Sequence, residues 1–121
     1  MQKILLVDDD PHIREIAQIS LEDDFNVVLA ASGPEALQLS QVENPDLIIL
    51  DMMMPGMDGV TTLAKLRENA QTANIPVIFM TAKVQAQELD SYRALDVAGV
   101  LSKPFDPMKL PGEIRRIVEN R

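Results

Sequence analysis

The sequence lacks cysteine and is poor in aromatic residues. Without cysteine, the chain can form neither a disulfide nor a thiolate metal site. Only 3% of its 121 residues are aromatic, so a core must be built from aliphatic residues and seven methionines. No apolar run approaches the ~20 residues that a membrane-spanning helix needs, and no basic segment followed by an apolar one opens the chain. We therefore expect a cytoplasmic protein.

Basic residues are outnumbered by acidic ones. The chain has 11 lysines and arginines against 19 aspartates and glutamates, which gives a net charge of −8. Nucleic acids and anionic membrane surfaces both attract basic protein surfaces, so direct binding to either is not expected. A hydrophobic content of 46% is typical of a globular chain. The length fits one domain spanning residues 1–121.

Short apolar runs alternate with segments of helical character along the whole chain. The predicted strands are residues 3–7, 25–30, 46–50, 76–80 and 98–101. A helix is predicted after each strand, and the apolar positions predict these buried faces: Ile13, Ile16, Ala17, Ser20 and Leu21; Ala36, Leu37, Leu39 and Val42; Val60, Leu63, Ala64 and Leu66; a weakly amphipathic segment over 84–95; and Ile114, Ile117 and Val118.

The order of these elements predicts the fold. Five strand–helix units without a break in composition favour a parallel sheet covered by helices on both faces. Right-handed crossovers then give a doubly wound, three-layer (βα)5 sandwich of the α/β class. The expected strand order is 2-1-3-4-5, the flavodoxin-like arrangement, in which ligands bind beyond the carboxyl ends of strands one and three.

Acidic residues follow two strands that should be neighbours in this sheet. Asp51 directly follows the buried run Leu47–Leu50, and Asp8 and Asp9 follow the first strand. Carboxylates this close would raise one another's pKa, and a bound divalent cation would relieve that repulsion. Carboxylate oxygens are the ligands of a Mg²⁺ site rather than of a zinc site.

A hydroxyl and an ammonium group are expected at the same edge of the sheet. Thr81 ends the fourth strand and Lys103 follows the fifth, where Pro104 makes a cis Lys103–Pro104 bond feasible. Aspartate can accept a phosphoryl group covalently, and Mg²⁺ with lysine can neutralise charge on the group being transferred. The combination therefore suits phosphorylation of Asp51.

Four motifs together resemble the receiver (CheY-like) domain of bacterial two-component response regulators, and the resemblance extends over the whole chain. The motifs are V-D-D-D at 7–10, D-M-M-M-P-G-M-D-G at 51–59, M-T-A at 80–82 and K-P-F at 103–105. The resemblance implies that Asp51 is the phosphoacceptor and that Thr81 is the switch hydroxyl. It also implies that Lys103 pairs with the phosphoryl or carboxylate oxygen. The implied Mg²⁺ ligands are Asp8, Asp9, Asp51 and the backbone carbonyl of Met53.

The resemblance also implies a function. A histidine kinase or a histidine phosphotransfer protein would deliver the phosphoryl group, and slow self-catalysed hydrolysis would remove it without turnover of an external substrate. Phosphorylation would shift the face made by the fourth helix, fifth strand and fifth helix, which a downstream protein or a fused output domain reads. The kinase contact is predicted at Ile13, Arg14, Ala17 and the loop at Pro104. Alternatively, the chain is a receiver excised from a longer regulator.

Some positions depart from the family pattern, and other functions compete with this one. Val100 occupies the usual aromatic switch position, while Met53 and Lys83 lie where side chains affect the lifetime of the phosphorylated state. A Mg²⁺-dependent phosphatase using an aspartyl phosphate would need a second acid where Met53 stands. A receiver-like interaction module that is never phosphorylated is disfavoured by the complete set of acids, threonine and lysine. Flavin binding finds no supporting phosphate loop.

Overall fold

The computed structural model describes residues 2–82, 95 and 97–119. Five strands within these residues form one parallel sheet in the order β2-β1-β3-β4-β5. The strands are β1 Lys3–Val7, β2 Asn26–Ala30, β3 Leu47–Asp51, β4 Val77–Thr81 and β5 Gly99–Ser102. The predicted strand order is therefore confirmed, and the strand ends differ from the predicted ones by no more than a residue.

Helices α1 Pro11–Leu21, α2 Gly33–Glu43 and α3 Gly59–Glu68 each follow a capping side chain, and the C-terminal helix spans Leu110–Glu119. The caps are Asp10, Ser32 and Asp58, whose side-chain oxygens accept backbone N–H groups of the first helical turn. The helix predicted over 84–95 lies outside the described residues, apart from Leu95. Within the described ranges, no helix is long and apolar enough to cross a membrane.

Side chains of successive strand residues alternate between two cores, one on each face of the sheet. One core lies beneath α1 and the C-terminal helix and contains Ile4, Leu6, Ala17, Leu21, Phe25, Leu47, Ile49, Ile78, Met80, Leu101, Leu110 and Ile114. The other lies beneath α2 and α3 and contains Leu5, Val7, Ala30, Ala36, Ile48, Leu50, Met52, Met54, Leu63, Leu66, Val77 and Phe79. This arrangement is the predicted three-layer α/β sandwich.

Several residues predicted to be buried in helices are exposed instead. Val42 is 68% exposed because it lies about 240° around α2 from buried Ala36, at 3.6 residues per turn. Ile16 and Val60 lie at the margins of their buried faces and are 42% and 40% exposed. Ala64 on α3 is also exposed. The apolar faces of these helices are narrower than the sequence pattern predicts.

The segment before the C-terminal helix forms a turn that is stabilised by Asp106. Asp106 accepts the N–H of Met108 at 2.9 Å through its side chain and the N–H of Leu110 at 3.0 Å through its carbonyl. Pro111 is the second residue of the helix and has no N–H to donate to the carbonyl of Pro107, which accepts the hydroxyl of Ser20 instead. The helix then continues regularly and buries Ile114 against the sheet.

Candidate functional site

The register of β1 and β3 brings two acidic residues side by side. Val7 pairs with Leu50, so the next residues along the two parallel strands are Asp8 and Asp51. Both aspartates continue the alternation of the residues that face α1, since Leu6 and Ile49 belong to that core. Asp8 is fully buried and Asp51 is 3% exposed. Two buried carboxylates therefore meet at the carboxyl edge of the sheet.

Asp8 is held through its backbone and its side chain. Its N–H donates to the carbonyl of Ala30 at 3.1 Å, which extends the contact with β2 beyond the strand. Its Oδ1 accepts the N–H of Asp10 at 2.9 Å, and its carbonyl accepts Nη1 of Arg14 at 2.8 Å. The buried carboxylate thus has a fixed position where β1 turns into α1.

Asp9 completes a cluster of three acids. One carboxylate oxygen from each of Asp8, Asp9 and Asp51 lies within 4.8 Å of the others, and Asp9 is exposed to solvent. Three hard oxygen donors, with an opening on the solvent side for water ligands, fit the preferences of Mg²⁺. The residues present therefore suit a magnesium ion, although their roles as ligands stay a prediction.

Lys103 lies over the two buried acids. Its N–H donates to the carbonyl of Thr81 at 2.8 Å, which ties the ends of β4 and β5 together. Its Nζ lies 2.6 Å from Oδ2 of Asp8 and 3.2 Å from Oδ1 of Asp51. The Lys103–Pro104 peptide bond is cis, and the sequence analysis had identified this bond as one that could be cis. The ammonium group of Lys103 is therefore paired with two carboxylates.

Burial and charge perturb both kinds of group. Burial, with the neighbouring charge of Asp8, raises the pKa of Asp51 from 3.8 to about 6, although Lys103 and the N–H of Met53 oppose the rise. Burial lowers the pKa of Lys103, but its hydrogen bonds and charge interactions with Asp8 and Asp51 outweigh this effect and raise it overall. Within the part of the chain that the structure describes, the three carboxylates of the cluster therefore carry more negative charge than Lys103 compensates.

Thr81 and Met53 lie where the sequence placed them, at the ends of β4 and β3. Thr81 is buried at 5% exposure, one residue beyond Met80, which pairs with Asp51. The N–H of Met53 donates to Oδ1 of Asp51 at 3.3 Å, while its side chain is 77% exposed. The switch role of Thr81 and the ligand role of the Met53 carbonyl remain predictions.

Gly59 is part of the site, although the sequence analysis noted it only as the last residue of the motif at 51–59. A Cβ at this position would lie 2.5 Å from the carbonyl oxygen of Asp51 and 2.9 Å from Cα of Met52. The N–H of Gly59 donates to the carbonyl of Met52 at 3.1 Å. Only glycine lets α3 begin this close to the end of β3. Its place after Asp58, at the predicted start of a helix, was the available signal.

The predicted kinase contact on α1 needs a correction. Ala17 is fully buried in the core and cannot touch a partner. The error has a geometric cause, since Ala17 lies on the same helical face as buried Leu21. Arg14 is half-buried, and its contact with the carbonyl of Asp8 was not foreseen. His12 is exposed in the first turn of α1.

Val100 lies on β5 opposite Phe79 and is partly buried against the core beneath α2 and α3. A valine here has no aromatic ring that could rotate behind Thr81. Lys83, which the sequence placed near the site, lies outside the described residues.

Known proteins are similar to this chain in both sequence and fold. The family model of the response regulator receiver domain matches residues 4–115. Response regulator Rre1 of Synechocystis sp. is 43% identical over 118 residues, which are 95% of this chain and 51% of that protein. Transcriptional regulatory protein CpxR of Escherichia coli is 41% identical over 121 residues, which are 98% of this chain and 50% of that protein.

Among solved structures, the chemotaxis protein CheY4 of Vibrio cholerae superposes with a TM-score of 0.89 at 33% identity. That alignment covers 97% of this chain and 98% of CheY4, whereas the chain spans about half the length of the curated relatives it matches. The family match, the fold and the acidic edge of the sheet agree, and the chain belongs to the response regulator receiver domain family.

Proposed function

We propose that this chain is the phosphoacceptor switch of a cytoplasmic two-component system. Asp51 accepts a phosphoryl group from the phosphohistidine of a histidine kinase or a histidine phosphotransfer protein. The observation that carries this proposal is the placement of Lys103, whose Nζ lies 2.6 Å from Asp8 and 3.2 Å from Asp51 within a cluster of three acids. A half-buried lysine that is paired with two carboxylates can neutralise added negative charge.

The transfer step needs one nucleophile and no external co-reactant. A carboxylate oxygen of Asp51 attacks the phosphorus atom, so that a new P–O bond forms while the P–N bond to the histidine breaks. The electron pair of that bond returns to the imidazole, whose other ring nitrogen already carries a proton, so the ring leaves as neutral histidine. Asp51 must be ionised to attack, and Lys103 favours its ionised form.

Other residues of the site assist in this transfer. The carboxylates of Asp8, Asp9 and Asp51 and the carbonyl of Met53 would hold Mg²⁺, which neutralises charge on the phosphoryl group when it is bound. Lys103 provides a second positive charge, and the Thr81 hydroxyl provides a hydrogen-bond donor at the next strand. No turnover of an external substrate is proposed, since Met53 stands where an aspartyl-phosphate phosphatase needs a second acid.

The partner contact is best placed on the exposed side of α1 and the loop before the C-terminal helix. Ser20 Oγ donates to the carbonyl of Pro107 at 2.5 Å and joins α1 to this loop. Beside this link, Ile16, Ile19 and Met108 are 42%, 62% and 89% exposed. Apolar side chains of this kind suit a protein partner such as a histidine kinase.

Substitution of Ile19 tests this surface. Ile19→Asp should slow phosphotransfer from a histidine kinase severalfold, while phosphorylation by a small acyl-phosphate donor keeps its wild-type rate. Val42→Asp is the matched control, because Val42 is also apolar and exposed but lies on α2. Equal transfer rates for both variants would remove α1 from the contact.

The output is proposed to be read at the carboxyl edge and at the face of β5 and the C-terminal helix. Receiver domains act on a separate protein or on a fused output domain. Rre1 and CpxR are about twice as long as this chain, while CheY4 has nearly the same length, so both arrangements have a precedent. The chain is proposed to act as one receiver domain in either case.

Mass spectrometry tests the proposed phosphorylation. The protein is incubated with a small acyl-phosphate donor, with and without Mg²⁺, and should gain one phosphoryl group only when Mg²⁺ is present. Asp51→Ala should remain unmodified, whereas Asp23→Asn, which changes an exposed acid after α1, should be modified like the wild type. Absence of the added mass in the wild-type protein would instead favour a receiver-like module that is never phosphorylated.

A further inference from the structure

Arg14 makes a contact with the acidic cluster that the proposed chemistry does not use. Its Nη1 donates to the carbonyl oxygen of Asp8 at 2.8 Å, and its own N–H donates to the carbonyl of Asp10 at 3.1 Å. The side chain therefore reaches back from the first turns of α1 to the end of β1. It closes a ring that contains all three consecutive aspartates.

The carbonyl that Arg14 holds belongs to the peptide joining Asp8 to Asp9. Because a peptide is planar, the direction of its oxygen also sets the position of the following Cα. Asp8 has further anchors, since its N–H binds Ala30 and its side chain binds Asp10 and Lys103. Asp9 is exposed and depends more heavily on the backbone for its position.

We propose that Arg14 is a positioning residue for the acidic cluster: by holding the Asp8 carbonyl, it fixes the Asp8–Asp9 peptide and with it the place of the Asp9 carboxylate. This inference rests on the proposed function, in which the cluster binds Mg²⁺. It gives Arg14 a role inside the domain that is separate from contact with a kinase.

The charge of Arg14 and its hydrogen bond act on cation binding in opposite directions. A guanidinium group near the cluster repels Mg²⁺, so loss of its charge alone would strengthen Mg²⁺ binding. Loss of the hydrogen bond would release the Asp8–Asp9 peptide and weaken binding. Substitution of residues that orient metal ligands typically lowers affinity 10- to 100-fold. The sign of the change therefore separates a positioning role from a purely electrostatic one.

Mg²⁺ titration of Arg14→Met tests the inference. Methionine keeps much of the stem but has neither the charge nor the donors. We expect the dissociation constant for Mg²⁺, followed by backbone amide NMR shifts, to rise roughly tenfold. Arg116→Met, an equal loss of charge on the exposed side of the C-terminal helix, should leave it unchanged. An unchanged or lower constant in Arg14→Met would overturn the proposal.

A second variant and a second readout keep the test decisive. If Arg14→Met does not fold, as judged by circular dichroism, Arg14→Lys is titrated instead. Lysine keeps the positive charge but lacks the planar guanidinium group, so this variant should bind Mg²⁺ severalfold more weakly than the wild type. An unchanged constant in Arg14→Lys would then overturn the proposal. In either variant, saturating Mg²⁺ should restore phosphorylation by a small acyl-phosphate donor. If the wild type is never phosphorylated but the variants bind Mg²⁺ weakly, the proposed function fails while the role of Arg14 stands.

Discussion

Replacement of Asp51 by asparagine should stabilise the fold when Mg²⁺ is absent. The asparagine would keep the size of the side chain and an oxygen for the N–H of Met53 but would remove one of two buried carboxylates. Lys103 would keep its ion pair with Asp8 at 2.6 Å. The Asp51→Asn variant therefore removes charge repulsion without leaving the lysine unpaired.

The pKa of Asp51 sets the size of this effect. It rises from 3.8 to about 6 in the fold, and each unit corresponds to about 1.4 kcal/mol, which gives about 3 kcal/mol. Because the folded pKa is the higher one, the folded state binds the extra proton between these two values. The free energy of unfolding of the wild type therefore falls as pH rises through that window and stays lower above it. An asparagine side chain does not titrate, so the free energy of unfolding of the variant should not fall in this way.

Thermal unfolding in a chelator measures the difference. At roughly 4 °C per kcal/mol for a domain of this length, Asp51→Asn should melt about 10 °C above the wild type at pH 8. The gap should shrink to a small fraction of this value near pH 4, where Asp51 is protonated in the folded state and close to half protonated in the unfolded state. Added Mg²⁺ should stabilise the wild type more than the variant, because it binds the folded cluster. Asp23→Asn, in an exposed turn, is the control and should show no comparable gap.

Two results would refute this reasoning. A variant no more stable than the wild type at pH 8 would mean that Lys103 already compensates the charge of both buried acids. A gap of equal size at pH 4 and pH 8 would mean that the stabilisation comes from packing and not from ionisation.

Two further predictions concern the surroundings of the cluster. Gly59→Ala should lower the free energy of unfolding by about 1–3 kcal/mol and slow phosphorylation by a small donor, because the added Cβ would lie 2.5 Å from the carbonyl oxygen of Asp51. Gly112→Ala is the control, since a Cβ at Gly112 would meet nothing within 4 Å. An equal loss of stability in both variants would contradict this reasoning. Lys103→Met should raise the pKa of Asp51 above about 6, since Lys103 lowers it in the wild type. NMR of the carboxyl carbon measures this pKa. An unchanged value would show that the ion pair between Lys103 and Asp51 is absent in solution.

The architecture and the acidic edge could be predicted because both follow from local patterns. Buried parallel strands are visible as short apolar runs, and the first polar residue after each run marks the carboxyl edge. Asp8, Asp51 and Thr81 were identified in this way. The strand order then made Asp8 and Asp51 neighbours, and the register of Val7 with Leu50 agrees with that placement.

The remaining features depend on contacts between elements that no local pattern encodes. Arg14 touches the carbonyl of Asp8 only because α1 leaves β1 at one particular angle, and any polar residue on that turn would fit the helical pattern equally well. The tight approach of Gly59 to β3 has the same origin. Val42 was misplaced because apolar spacing gives the centre of a helical face but not its width. The same spacing correctly predicted that Ala17 is buried, and only its assignment to the kinase contact was wrong.

Charge balance links the acidic cluster to the rest of the sheet. Among the described residues, Lys103 is paired with Asp8 and Asp51, while Asp9 adds a third carboxylate to the cluster, so the site keeps a negative excess that a divalent cation would cancel. A phosphorylated Asp51 would carry up to about two negative charges in place of the single charge of its carboxylate, and it would draw Lys103 away from Asp8. The backbone of Lys103 is bonded to Thr81 at 2.8 Å, so a shift of the lysine would act directly on the ends of β4 and β5. With Val100 in place of an aromatic residue, this backbone link offers a route from the site to the output face that needs no rotating ring.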